Sequence, residues 1–475
     1  MVFSSPVFLF LFLPVTLALW FAAYRTGTVS AQNAVLLFCS LVFYSYGGLQ
    51  YLLLLAASVA VNWLCGIGME RYGGMPRRGI FLAGIIYNIA ILVVFKYLGL
   101  LGDTLNAVFG GLSGGAVQVP VYHLPLPIGI SFFTFQIMSY LIDVYRREVP
   151  VQRNIGRLAL YIFLFPQLIA GPIVRYADIM EELRERKSSL RDIYEGAFRF
   201  ACGFAKKILL ANGVGQAADL AFGQEGGPGL VFAWIGVVCY TLQLYLDFWA
   251  YSDMAIGLGR IFGFHFMENF RDPYTARNVQ DFWKRWHISL TSWFRNYVYI
   301  PLGGNRGGEG RTFRNIMIVY ALTGIWHGAS WNFLLWGLYH GFFQIAERKW
   351  TGRFFGKMPR IFGTLYADLV YCVSMVLFRA EGFGAALAYF TALFRRAALF
   401  VPGDYALFVC VCNRKFALVF IAAVFMCSPL YHRLHRFLQD HRLALLEDLG
   451  VLCAFFAAVC EMMASGYNPF IYFRF

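Results

Sequence analysis

Two of the eight histidines stand where almost no other side chain could do chemistry. His327 lies in LTGIWHGASWNFLLWGLYHG (322–341), inside 32 consecutive residues, 315–346, without Asp, Glu, Lys or Arg. An ionisable group in apolar surroundings is costly and is therefore a functional-site hypothesis by default. Burial keeps an imidazole neutral, and a neutral imidazole accepts a proton near neutral pH, which is the work of a general base. Gly324, Gly328, Ala329 and Ser330 are small enough to let another backbone or an extended ligand come close. Spacing alone leaves a second role open, an interhelical hydrogen bond. His340 lies 13 residues further on, ~140° around a helix that turns ~100° per residue, so it is expected to be structural.

His287 lies in DFWKRWHISLTSWFRNYVYIPLGGNRGGEG (281–310), among Trp283, Trp286, Trp293, Phe294, Lys284, Arg285 and Arg295. The stretch is too polar to span a membrane and too aromatic to be solvated. It predicts a helix at or just below the interface, followed by a Gly-rich basic loop. Membrane anchoring by an aromatic belt with snorkelling cations accounts for the same composition. The two histidines are 40 residues apart, with neither HxxxH nor HExxH spacing, so a metal site is not expected. Asp247 and Asp253, in YLDFWAYSDMAIG (245–257), are expected to form structural ion pairs with cations such as Lys284 or Arg285, or to orient a histidine. The glycines of GLGRIFG (257–263) lack the strand–helix setting of a nucleotide fingerprint. No GxSxG or Walker A motif occurs.

The elements that must position these residues follow from composition. Of 475 residues, 59% are hydrophobic, 19% aromatic and 14% charged, against about 25% charged in soluble proteins. The net charge of +14 has two ordinary sources, nucleic-acid binding or the cytoplasmic loops of a membrane protein. Placement favours the second. Residues 1–24 and 26–69 carry no charge, and the longer run is twice the ~20 residues that cross a bilayer core. Further apolar runs cover 79–101, 128–142, 158–174, 229–246, 315–346, 361–378, 416–430 and 449–473, with shorter ones near 200–222 and 383–411. They predict an all-α, polytopic protein with about ten to twelve membrane helices.

The first segment has no basic n-region or cleavage pattern, so it is read as a retained helix. Arg25 after it places the N-terminus outside. Loops 70–78 and 143–157 then fall inside, and loop 102–127, without Lys or Arg, falls outside. Segment 175–199 carries six basic and six acidic residues and belongs in the cytoplasm. The run 158–174, interrupted by Pro166, Gly171 and Pro172, is therefore expected to be a re-entrant hairpin. The ten cysteines have no metal-like spacing and are expected as buried free thiols. The absence of a sequence repeat weakens the rival reading of a repeat-built transporter with proton-relay histidines.

PIGISFFTFQIMSYLIDVYR (127–146), LIAGPIVRY (168–176), LYLDFWAYSDMAIG (244–257), DFWKRWHISLTSWFRNYVYIPLGGNR (281–306), LTGIWHGASWNFLLWGLYHG (322–341) and the terminal YNPFIYFRF (467–475) occur in this order. With the opening MVFSSPVFLFLFLPV, this set resembles the membrane-bound O-acyltransferase (MBOAT) family, specifically its bacterial alginate O-acetyltransferase (AlgI-like) branch. The resemblance covers the whole chain and implies one transmembrane domain over 1–475, a ring of helices around a central tunnel. It implies that His327 matches the catalytic histidine and His287 its partner polar position. The implied reaction takes an acetyl group from a cytosolic donor, acetyl-CoA or another acyl donor, with no bound cofactor. The acetyl group would end on an exported polysaccharide, directly or through a periplasmic partner with a serine nucleophile. The setting would be a bacterial inner membrane, with lipids as neighbours and no nucleic-acid partner. D-alanyl or other acyl transfer to teichoic acid or peptidoglycan is the nearest rival.

Acyl transfer needs a base, help for the developing oxyanion, and exclusion of water. His327 is expected as base and His287 as oxyanion stabiliser or positioning donor. Lys284, Arg285, Arg295, Trp286 and Asn305 are expected around a phosphate-bearing donor. Asp247, Asp253, Trp326 and Ser330 are expected in support.

Overall fold

The computed structural model describes residues 1–113, 118–352, 359–395, 398–441, 443–469 and 471. Among these the regular structure is helical and no strand occurs. Five helices are long and apolar enough to cross a membrane: Phe8–Arg25, Leu49–Arg71, Gly74–Ser113, Leu230–Ile261 and Arg360–Arg379. Pro402–Val411 and Arg414–Met426 make a sixth if that pair, bent by 72°, is one span. The chain is thus an all-α, multi-pass membrane protein.

About ten to twelve membrane helices were expected from the apolar runs, with 158–174 as a re-entrant hairpin. Several runs are instead short or broken among the described residues. Val29–Ser45 and Phe383–Phe394 are apolar but under 18 residues. Ile155–Phe163 has 9 residues, ~14 Å of helix at ~1.5 Å per residue against a ~30 Å hydrocarbon core. The terminal motif is described only at 467–469 and 471; its remaining residues lie outside the described set.

The chain divides into two compact units, Met1–Ala197 with Ala255–Met267, and Phe198–Met254 with Glu268–Phe475. In the first, Asn62 and Asn88 face each other from Leu49–Arg71 and Gly74–Ser113. Each amide donates to the other's oxygen, at 3.2 and 2.7 Å, and to the carbonyl four residues back in its own helix at 2.7 Å. Hydrocarbon offers no water to replace such bonds, so the two amides saturate each other.

The run 158–174 is helical only to Phe163, then turns at Leu164 into the short helix Phe165–Leu168 and irregular chain. Residues 160–174 are all buried. Gln167 donates to Tyr161 O at 2.6 Å, and the Tyr161 hydroxyl lies 3.2 Å from Gln136 O and 3.0 Å from Val174 O. Non-helical backbone at membrane depth survives only where protein supplies such partners. Gly129 borders this segment with φ +74°, and a Cβ there would lie 2.5 Å from Leu168 O, so both conformation and space require glycine.

Leu230–Ile261, whose residues up to Met254 belong to the second unit, is the most buried candidate span, 72% of its apolar window against 44% or less for the others. It contributes Asp247, Phe248, Ser252 and Asp253 to that unit's interior. Glu309–His327 and Trp331–Ala346 form an antiparallel hairpin joined by Gly328–Ser330. A Cβ at Gly324 would lie 2.2 Å from Phe333 O, and one at Gly337 would lie 2.2 Å from Tyr320 O. The helices therefore meet backbone to backbone, and this contact sets the height of His327.

Gly324→Val is expected to cost about 3 kcal/mol or more by overpacking and to lower the thermal midpoint of the detergent-solubilised protein by several degrees. Gly110→Ala, where the added methyl meets nothing within 4 Å, should leave it unchanged or slightly higher, since alanine is the better helix former.

Candidate active site

The segment carrying His287 is two short helices with a break between them. Val279–Arg285 begins at Asn278, whose side-chain oxygen accepts from Asp281 N at 2.7 Å. The Glu347 carboxylate accepts from Val279 N at 2.6 Å and Gln280 N at 2.9 Å, satisfying two more of the N–H groups that a helix start leaves open. Ile288–Phe294 follows, and His287 between the helices is left-handed, with φ 45°. A non-glycine residue there is held against a cost of roughly 1–3 kcal/mol by its surroundings.

Those surroundings are the chain at 269–271. Ile288 N donates to Asn269 O at 2.9 Å and Arg271 N to Arg285 O at 3.0 Å, bracketing His287 from both sides. The Asn269 Oδ1 accepts from the Ser289 hydroxyl at 2.9 Å and from Ser289 N at 3.4 Å, and its Nδ2 donates to Ser252 Oγ at 3.1 Å. A main-chain N–H can only donate, so the atom facing it is the amide oxygen. His287 Nδ1 is 3.0 Å from the same oxygen. Nδ1 must therefore carry the hydrogen, which leaves a lone pair on Nε2. His287 is 1% exposed, and its Nε2 is buried without a hydrogen-bond partner among the described residues. Burial pushes the imidazole below its ordinary pKa, so it is neutral.

His327 is the last residue of Glu309–His327 and is 4% exposed. Its ring centroid lies 5.0 Å from Trp326, 5.0 Å from Trp336 and 5.2 Å from Phe378. The His287 ring packs on Phe248 at 4.6 Å and on Trp326 at 6.0 Å. Trp326 thus touches both imidazoles, and the two histidines, 40 residues apart in the chain, share one aromatic cluster. His340 joins it through Trp336 and Trp283. Its Nε2 is 3.0 Å from Ser374 Oγ, which accepts from Trp336 Nε1 at 3.2 Å and donates to Tyr371 O at 2.6 Å. His340 is a packing residue with a hydrogen bond; it lies on Trp331–Ala346 rather than on the helix of His327, so the ~140° separation expected for one continuous helix does not apply. Ser330 is the N-cap of Trp331–Ala346 without a side-chain capping bond.

A cleft of about 330 Å³ opens beside this cluster. Lys284, Arg295 and Asn305 line it, together with Arg348, and among the described residues no carboxylate does. Its apolar wall includes Trp283, Tyr320 and Thr323. Thr323 stands four residues before His327 on the same helix face, ~6 Å along the axis. Arg285 and Trp286 are not at the cleft. Arg285 is held by Asp281 at 2.9 Å and by Thr275 at 3.3 Å. Trp286 stacks on Phe282 in the aromatic interior.

The two aspartates pair with cations other than Lys284 or Arg285. Asp247 meets Lys207 at 2.8 Å, both fully buried. Asp253 takes Lys206, which lies over the Trp249 ring, and Arg199 at 2.8 Å. Neither is bonded to a histidine. Lys207 also donates to Pro469 O, and Asp247 accepts from Ile471 N at 3.2 Å, so this pair holds the end of the described chain. Sequence reasoning missed Asn269 beside His287, Glu347 at the start of Val279–Arg285 and Arg348 at the cleft, and missed Lys206 and Lys207 as the partners of Asp253 and Asp247. Asn269 carries no local signal, because its partner lies 18 residues away across a turn. Among the described residues no group of three His, Cys, Asp or Glu converges as a metal site. The ten cysteines are free thiols; four are buried, whereas Cys412, Cys453 and Cys460 are exposed rather than buried, on apolar segments.

Comparison with known proteins gives this geometry its chemical context. The profile of the MBOAT, membrane-bound O-acyltransferase family matches residues 38–378, which include both histidines and the cleft. The chain is 37% identical over 513 aligned residues to a probable alginate O-acetylase AlgI of Azotobacter vinelandii, covering the whole of both chains. It is 40% identical to that of Pseudomonas aeruginosa over 399 residues, 83% of this chain and 75% of the relative. A peptidoglycan O-acetyltransferase of Helicobacter pylori is 33% identical over 423 residues, 82% of this chain and 78% of the relative. With a matched profile over most of its length and relatives of this identity, the chain belongs to the membrane-bound O-acyltransferase family, and to its AlgI-like branch.

Proposed function

We propose that this O-acyltransferase takes an acetyl group from a cytosolic thioester and passes it towards an exported polysaccharide of the alginate type, from a bacterial inner membrane with the N-terminus on the periplasmic side. The observation that carries the reading is the pair of buried histidines joined through Trp326, one helical turn from a cleft with three cations. The names of the relatives support the acetyl group and a glycan acceptor. Delivery through a periplasmic partner with a serine nucleophile, or directly to the polymer, fits the same chemistry.

His327 is the base. It takes the proton of the acceptor hydroxyl as the oxygen attacks the acyl carbon, and returns it to the thiolate when the carbon–sulfur bond breaks. An oxyanion-donor role for His287 would require hydrogen on Nε2, whereas the Asn269 contact favours hydrogen on Nδ1. His287 is therefore assigned the orienting of the acceptor, accepting a hydrogen bond at Nε2 from a second polar group of that substrate. The aromatic rings around both histidines exclude the water that would hydrolyse the thioester. Lys284, Arg295 and Arg348 hold the phosphates of the donor, each as a charge-assisted contact.

His327→Ala is expected to lower acetyl transfer by the purified, lipid-embedded protein with its acceptor about 10²–10⁴-fold, with normal elution on size exclusion. Full activity in that variant overturns the base assignment. Loss of O-acetyl groups from the host's exopolysaccharide when the protein is removed tests the acceptor; solute movement without release of CoA would favour a transporter instead.

Lys284→Gln, Arg295→Gln and Arg348→Gln should each raise KM for acetyl-CoA about tenfold, ~1.4 kcal/mol, with kcat little changed. Arg285→Gln should not, and acetyl-pantetheine, which lacks the nucleotide phosphates, should be insensitive to all four.

A further inference from the structure

We infer that Asn269 is a positioning residue for the transfer reaction, holding His287 in the Nδ1–H tautomer so that its bare Nε2 faces the acceptor. This rests on His287 having the orienting role assigned above, and goes beyond it in naming what sets that role.

Four bonds define the device. The Asn269 Oδ1 is met by His287 Nδ1, the Ser289 hydroxyl and Ser289 N, and its Nδ2 is spent on Ser252 Oγ. If Nδ1 carried no hydrogen, two acceptor atoms would face each other 3.0 Å apart between side chains that are each 1% exposed, so that tautomer is disfavoured. An amide rather than a carboxylate at this place accepts the hydrogen bond without adding charge. The imidazole is thereby oriented but not driven to its charged form, as an aspartate would drive it. The groups against the ring are all uncharged: Phe248, Trp326, Asn269 and Ser289. The two carboxylates on the helix of Phe248, Asp247 and Asp253, are spent on Lys207 and on Lys206 with Arg199. The backbone bond Ile288 N to Asn269 O keeps the amide and the ring in register, and is independent of the Asn269 side chain.

The test compares Asn269→Leu, Asn269→Asp and His287→Ala in the full-length, lipid-embedded protein, reading kcat, KM for acetyl-CoA and the pH profile. Asn269→Leu should lower kcat about 10²-fold with KM within about twofold. Asn269→Asp, which can still accept from Nδ1–H, should recover most of that activity. The acid limb of its profile should move to higher pH, because a carboxylate raises the pKa of the imidazole and the neutral form is lost at higher pH. Nitrogen-15 spectra of histidine-labelled protein, with the His287 signals identified by their absence in His287→Ala, should show hydrogen on Nδ1 in the unsubstituted protein.

Unchanged kcat in Asn269→Leu, alongside an inactive His287→Ala, overturns the inference while leaving the role of His287 standing. An active His287→Ala overturns that role itself. An Asn269→Asp variant as inactive as Asn269→Leu, or hydrogen found on Nε2, also counts against the positioning role.

Discussion

Every buried polar group in this protein has to find its partner in the protein, because hydrocarbon supplies none and an unpaired amide or hydroxyl costs several kcal/mol. That constraint explains the reciprocal amides of Asn62 and Asn88, the side chains that tie down the broken run 160–174, and the buried pairs of Lys206 and Lys207 with Asp253 and Asp247. It also draws attention to the buried polar atoms that have no hydrogen-bond partner among the described residues, one of which lies beside Asn269. The Nε2 of His287 is buried without a hydrogen-bond partner among the described residues, while Nδ1 of the same ring is held by Asn269.

Both histidines of the site stand at helix ends. His327 closes one helix, and His287 sits between two short ones in a left-handed conformation. Within a helix the backbone is committed to its own ladder, and the side-chain direction follows from the turn. At an end the chain is free to take other directions, and outside bonds decide them. Glu347 and Asn278 set the start of Val279–Arg285, Asn269 sets its break, and the glycine contact between Glu309–His327 and Trp331–Ala346 sets the second histidine. The aromatic cluster then joins the two through Trp326 without adding a charge.

The cations divide by partner. Lys206, Lys207, Arg199 and Arg285 are spent on carboxylates. Lys284, Arg295 and Arg348 line a cleft with no carboxylate among its described residues. Composition shows all seven as members of one positive excess, yet only the second group lines this cleft.

The amino-acid sequence by itself determined the fold class, because long uncharged runs have one stable outcome in a bilayer, and it marked His327 and His287 as polar groups in the wrong solvent. It identified the broken run around Pro166 by the same logic. It could not count the crossings, since an apolar run reads alike whether the helix in it is straight, short or bent. Nor could it separate Lys284 from Arg285, adjacent residues of which one lines the cleft and the other is bound to Asp281. Asn269, an ordinary polar residue in sequence, became part of the site only when the chain folded it back against His287. Partners of this kind are chosen by three-dimensional proximity across turns, and no periodicity along the chain records them.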